Sequence, residues 1–281
     1  PLDDRPLANV EISGLGFACF FIAIRGGAYN HLSFGLGRLQ DLVFLGKENG
    51  TVYTRHAIHI QNFQHLQINH IKAFNCLEPF SFRANHIRCS PGNSVFIDIY
   101  AYMDSISGDF ALRLQSINGS LQLNTITIIR PQINWFTNPA AHKSNILLEG
   151  VGSGQITQCH LIDTNTEGGN GAHITMINAK NCRLDIASAV NHPGSSTVIL
   201  RDTGCMIYSQ SPSTTVDCDP VSSSLSQVNG IIHSITGTGN PPGIRTENGH
   251  SPREYYTGLG RNGMGLRLLA GEATASQDNV Q

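Results

Sequence analysis

Charged residues are scarce in this sequence. Only 14% of its 281 residues are Asp, Glu, Lys or Arg, and the formal net charge is -2. This balance gives no overall basic field, so we expect neither nucleic acid nor an anionic membrane as a partner. No apolar stretch reaches the roughly 18 to 20 residues of a membrane-spanning helix, so we also expect no membrane insertion. Because 40% of the residues are hydrophobic, the chain can still build a buried core.

The sequence also lacks a usable cysteine framework and a helical pattern. Seven Cys is an odd number, so they cannot all pair within one chain, and no CxxC motif occurs. We therefore expect no metal site and no cofactor. No segment keeps a 3.6-residue period between helix caps, whereas 29 Gly favour turns and the Ile, Val, Thr and Phe content favours strands. The sequence predicts an all-β protein.

A repeated segment occupies the middle of the chain. Each copy has a short alternating strand, a small polar turn and a second alternating strand. The copies lie at 58–74, 80–102, 112–129, 146–162, 174–190 and 198–210. Their spacing suits stacked coils of three short strands with turns that vary in length.

Equivalent positions in the copies define the register. Cys159, Cys182 and Cys205 are each 23 residues apart, so we expect them to stack in the interior about 4.8 Å from one another. The alternation predicts an inward column of Ile58, Ile60, Leu112, Leu114, Ile146, Leu148, Ile174, Met176, Val198 and Leu200. It predicts an outward column of His59, Ser81, Arg113, Leu147, Thr175 and Ile199. The equivalent turn residues are Asn62, Ser116, Gly150, Asn178 and Asp202, which suit a sharp corner.

This pattern resembles a right-handed parallel β-helix, an all-β solenoid. The resemblance covers 29–210. It leaves 1–28 as an N-terminal cap or incomplete first coil, and 211–281 as a small β-rich C-terminal segment with a tail.

A β-helix with turn insertions and a distinct C-terminal piece resembles bacteriophage tailspikes and receptor-binding proteins of the pectin-lyase-like superfamily. The resemblance implies a homotrimer in the virion tail that acts outside the cell. Such a protein binds, and often cleaves, bacterial surface polysaccharide during host adsorption. Its other partners would be an upstream virion-anchoring part or other virion proteins. Two alternatives stay open: a monomeric secreted pectin-lyase-like enzyme and a purely structural virion fibre.

One strand carries the candidate polysaccharide site. Strict alternation places Ile97, Ile99 and Ala101 inside, because neighbouring side chains of a strand point to opposite faces. It places Asp98, Tyr100 and Tyr102 outside. Lys72 is expected one coil below. Arg130 is expected one coil above, followed by an insertion with the only Trp, Trp135. Aromatic rings and polar groups in one place suit a sugar. The alternative is that the tyrosines are ordinary strand residues or a subunit interface.

Cleavage of a glycosidic bond generally needs two carboxyl groups. Asp98 and Asp104 are the candidate catalytic pair. A second set on later coils is Glu149, Asp163 and Asp185. The alternative for each of these residues is an ordinary solvent-exposed position without a catalytic role. Leu147 and Ile199, apolar but predicted to face outward, are candidate subunit contacts.

Histidines are crowded around His56 and His59. Three residues apart on a strand, their rings are expected on opposite faces. This spacing argues against a zinc site there.

Overall fold

The computed structural model describes residues 10–26, 34–35, 37–48, 50–85, 92–104, 108–117, 122–135, 144–169, 171–190, 197–218, 226–230, 234–236 and 245–247. Within these ranges all regular structure is β, which confirms the all-β prediction. None of these residues belongs to a helix that could cross a membrane.

In the part of the chain that the structure describes, the first sheet has 15 strands, and all its pairs are parallel. Its strands are β1 (Glu11–Ser13), β2 (Gly16–Ala18), β4 (Phe34–Gly35), β5 (Arg38–Leu45), β9 (Phe63–Gln64), β10 (Gln67–Phe74), β12 (Gly92–Met103), β14 (Leu123–Ile129), β15 (Gln132–Trp135), β17 (Ile156–Thr157), β18 (His160–Gly168), β20 (Ala179–Val190), β22 (Gly204–Ser209), β24 (Gln227–Gly230) and β26 (Arg245–Glu247).

The second sheet has nine strands, also all parallel. They are β3 (Ile22–Gly26), β8 (His56–Gln61), β11 (Phe80–Ala84), β13 (Phe110–Ile117), β16 (Ser144–Val151), β19 (Ala172–Ile177), β21 (Val198–Arg201), β23 (Thr215–Cys218) and β25 (Ser234–Thr236). A separate antiparallel pair is formed by β6 (Lys47–Glu48) and β7 (Thr51–Val52). The chain visits the two sheets in turn, so neighbouring strands in each sheet come from successive copies of the repeat.

The inward columns form the core. All ten residues predicted to point inward on the second sheet are buried, as are Cys159, Cys182 and Cys205 on the first. The backbone N–H of Cys159 lies 3.4 Å from Cys182 Sγ, so these cysteines are vertical neighbours as predicted. Inside the stack, the Phe82 ring lies 4.6 Å from Phe96 and 5.7 Å from Phe63, measured between centroids. Repeated apolar columns therefore hold the two sheets together.

Left-handed backbone interrupts the alternation of the first sheet every five residues. In β12, Asn93 has a φ of 50° and Asp98 a φ of 54°. Such a residue turns the chain, so the side chains after it point to faces that strict alternation does not predict. Ile99 and Ala101 are buried as predicted, whereas Phe96 is buried and Ile97 is partly exposed, against strict alternation. The prediction that Ile97 faces inward is wrong for this reason.

Most of the residues predicted to face outward on the second sheet are buried. His59, Ser81 and Thr175 are all less than 10% exposed. Leu147 is only 8% exposed and so offers little free surface to a partner chain. Ile199 is partly exposed.

Both sheets continue across the boundaries expected at residues 28 and 210. β1 to β3 pair with β5 and β8, and β23 and β24 pair with β21 and β22. Residues 248–281, the last part of the segment expected at 211–281, lie outside the described residues.

Candidate functional site

A column of Asp, His and Arg side chains, called the charged column below, runs along five neighbouring coils of the first sheet. Its members are Asp41, His70, Asp98, Arg130 and Asp163, with φ between 52° and 55°. The pairs on either side of each residue fix this alignment. Asp and His adopt left-handed backbone more readily than most residues, which suits them to these corners. The corners thereby place Arg130 between the opposite charges of Asp98 and Asp163, and His70 between Asp98 and Asp41.

Asp98 is the centre of this column. Its carboxylate accepts hydrogen bonds from Arg130 Nε at 2.6 Å and Arg130 Nη2 at 3.0 Å. Its Oδ2 also lies 3.0 Å from His70 Nε2, and His70 Nδ1 lies 3.4 Å from Asp41 Oδ1. The Arg130 hydrogen bonds are the main reason that the pKa of Asp98 lies below its usual value. The same contact raises the pKa of Arg130.

A pocket of about 570 Å³ opens beside this column. Its lining includes His70, Lys72, Phe74, Asp98, Tyr100, Arg130, Gln132, Asp163 and Asn165. Lys72, Tyr100, Gln132 and Asn165 occupy the same register position on β10, β12, β15 and β18. Polar side chains thus form a row beside the charged column.

Aromatic rings form one side of the pocket. The Phe74 ring centroid lies 5.7 Å from that of Tyr100 and 6.3 Å from that of Tyr102. Partial burial is the main reason that the pKa of Tyr100 is raised, so its hydroxyl stays protonated and can donate a hydrogen bond. The pocket therefore offers an apolar surface next to donors and acceptors.

The structure brings together four of the seven residues proposed from the sequence. Lys72, Asp98, Tyr100 and Arg130 all line the pocket, while Tyr102 packs against Phe74 at its edge. Lys72 and Arg130 lie one strand to either side of β12, as the repeat predicts.

Trp135 lies elsewhere. It ends β15 and pairs with Met103 in an inward column, where it is only 1% exposed. The prediction that it contacts a glycan is therefore wrong, because a ligand cannot stack on a ring enclosed by the core. Of the insertion expected at 131–144, the part at 136–143 lies outside the described residues.

Asp104 is also apart from the pocket. It follows β12, and its backbone N–H donates to Asn75 Oδ1 at 2.8 Å. The second carboxylate in the pocket lining is Asp163. Strand register identifies it, because Asp163 follows Arg130 by one coil just as Arg130 follows Asp98. The same register identifies His70.

The remaining candidate carboxylates make other contacts. Asp185 accepts from Arg183 Nε at 2.9 Å, and Glu149 accepts from Gln115 at 2.6 Å. Neither lines this pocket.

The two histidines near the start of β8 are neighbours. The rings of His56 and His59 stack with their centroids 5.0 Å apart, so the prediction of opposite faces is wrong. His56 Nδ1 bonds to the backbone oxygen of Glu78 at 2.7 Å, which holds its ring alongside that of His59. Among the described residues, no group of three or more His, Cys, Asp or Glu could hold a metal ion.

Comparisons with protein families, with curated proteins and with solved structures found no match for this chain.

Proposed function

We propose that this chain is a right-handed parallel β-helix that binds bacterial surface polysaccharide as part of a homotrimeric phage tailspike. Two parallel sheets that the chain visits in turn support the solenoid. Right-handedness is the expectation from physics, because parallel crossovers within one sheet are right-handed in about 98% of cases.

The observation that carries the binding proposal is the pocket beside the charged column. A sugar ring presents C–H faces that pack on aromatic rings, and hydroxyls that pair with carboxylates, amides and cations. Phe74 and Tyr100 supply the rings, while Asp98, Gln132 and Asn165 supply hydrogen-bonding groups. The row repeats from strand to strand about 4.8 Å apart, so it suits an extended chain of sugars.

We propose binding as the function of this pocket, with Asp98 as a binding group and not as a general acid. Glycoside hydrolysis needs one carboxyl group that stays protonated as a general acid. The pKa of Asp98 is lowered by the hydrogen bonds from Arg130, so Asp98 remains ionised and suits only the base or nucleophile role. Its Arg130 pair also occupies the carboxylate oxygens that a nucleophile would use.

The test is binding of the full chain to capsule polysaccharide and lipopolysaccharide from candidate hosts, measured by calorimetry with product sizes checked by chromatography. Tyr100→Ala should weaken binding by roughly tenfold or more, equivalent to about 1.4 kcal/mol. Tyr208→Ala is the matched control, because Tyr208 is a 37% exposed tyrosine of the same sheet outside this pocket. No binding to any glycan would favour the structural fibre, and shortened products would favour an enzyme.

A further inference from the structure

A second cluster of polar side chains lies on the outward face of the second sheet. His59 in β8 pairs with Ser81 in β11, and Ser81 pairs with Arg113 in β13. The three side chains therefore occupy one column on three adjacent strands. This column is on the other sheet from the proposed polysaccharide pocket.

Hydrogen bonds fix which nitrogen of His59 carries the proton. Asn85 Nδ2 donates to Gln61 Oε1 at 2.8 Å, so the amide NH₂ of Gln61 faces His59 Nε2, also at 2.8 Å. Nε2 therefore accepts, and in the neutral ring Nδ1 carries the hydrogen. His59 is 7% exposed, and its Nδ1 has no hydrogen-bond partner. A buried N–H without an acceptor is unfavourable unless a ligand supplies one.

Arg113 supplies further donors beside it. Its Nη2 donates to Ser81 Oγ at 3.2 Å, which extends the guanidinium across β11 towards the strand of His59. Its Cζ lies 4.1 Å from the Phe110 ring centroid, and its buried Nε has no acceptor. No carboxylate pairs with Arg113 among the described residues. Arg113 is only partly buried, so part of the residue is reachable from solvent.

The surroundings of His59 are positively charged. Burial is the largest cause that lowers the pKa of His59 to about 4, followed by the charges of His56, Arg83, Arg25 and Arg55. His59 is therefore a neutral donor near pH 7. The nearby carboxylate of Glu78 is already engaged by Arg55 Nε at 3.2 Å.

We propose that this column binds an anionic oxygen group, namely a carboxylate, sulfate or phosphate. The His59 Nδ1–H and the Arg113 guanidinium donate to it, and the Ser81 hydroxyl lies between them. Charge-assisted hydrogen bonds from arginine to such groups are stronger than hydrogen bonds between neutral groups. This site does not depend on the polysaccharide pocket, because none of its residues lines that pocket.

The experiment is calorimetric titration of the full chain with sodium sulfate, sodium phosphate and sodium acetate, in a buffer with chloride as its only other anion. We expect saturable binding of at least one of them, and Arg113→Gln should weaken it by roughly tenfold or more. Binding of sulfate or phosphate alone would show that the site takes a tetrahedral anion. Binding of acetate alone would show that it takes a planar carboxylate. In nitrogen NMR spectra, the same anion should shift the His59 Nδ1 resonance.

Arg183→Gln is the matched control, because Arg183 is an arginine of the first sheet that is paired with Asp185. It should leave anion binding unchanged. Absence of saturable binding for all three anions would overturn the proposal, as would equal losses in both variants. Unchanged circular dichroism of Arg113→Gln would exclude misfolding. Neutral-glycan binding should survive Arg113→Gln, so failure of this site is distinguishable from failure of the proposed function.

Discussion

At the scale of single residues, Asp98 combines a backbone role with an electrostatic one. Its left-handed φ of 54° makes the corner, and its carboxylate pairs with Arg130. Asp98→Asn separates these roles, because Asn also accepts left-handed backbone but carries no charge. We expect the free energy of unfolding near pH 7 to fall by less than about 1 kcal/mol, since the pair is solvent-exposed. Urea unfolding measures this difference.

The same variant makes a pH prediction with a definite sign. Because the folded-state pKa of Asp98 is lowered, its ionised form stabilises the folded protein above the unfolded-state pKa of about 3.9. That contribution is lost as the pH falls through the lower folded-state pKa. The difference in the free energy of unfolding between wild type and Asp98→Asn should therefore narrow below about pH 4. An equal difference in the free energy of unfolding at pH 7 and about pH 3 would show that the charge of Asp98 does not cause the loss of stability.

At the scale of strands, the sequence predicts regular alternation well and its interruptions poorly. Ile58, Ile146 and Ile174 lie inward as expected, because β8, β16 and β19 are short and free of left-handed residues within their bounds. The prediction for Ile97 is wrong because Asp98 turns the chain, and the hydrophobic pattern does not show which residue adopts a left-handed φ. The prediction for Trp135 is wrong for another reason. The sequence does not show that β15 lies within the expected insertion.

Core and outward isoleucines of the second sheet should differ in their contribution to stability. Ile174 in β19 is fully buried, whereas Ile199 in the neighbouring strand β21 is partly exposed. Ile174→Ala should lower the free energy of unfolding by about 2 to 5 kcal/mol, because it removes buried methyl groups and leaves a cavity. Ile199→Ala should cost about 1 kcal/mol or less. Denaturant unfolding of both variants compares them, and equal losses would contradict the assignment of faces.

At the scale of the whole molecule, stacking is what assembles the candidate site. Asp98, Arg130 and Asp163 are more than 30 residues apart from one to the next in the sequence, yet they are neighbours because each coil repeats the corner of the last. The repeat predicts that Lys72, Tyr100 and Arg130 meet. It does not reveal His70, and it names Asp163 only in the second set of candidate carboxylates. Turns of variable length hide the equivalence of these residues to Asp98 until the strands are paired.

Exposed apolar side chains on the first sheet bear on the proposed homotrimer. Val43, Leu45, Val95 and Met206 are each between 38% and 48% exposed, and such residues suit a contact with another chain. Light scattering should give three times the 30.4 kDa of one chain. Leu45→Lys should lower that mass, because a lysine ammonium is costly to bury against an apolar partner.

Ser188→Lys is the control for this last variant, because Ser188 is an exposed polar residue of the same sheet and pairs with none of these four residues. It should keep the mass of the wild type. A wild-type mass of one chain would instead rule out the homotrimer and favour the monomeric pectin-lyase-like alternative. The polysaccharide pocket would remain testable in that case, since all its described lining residues belong to a single chain.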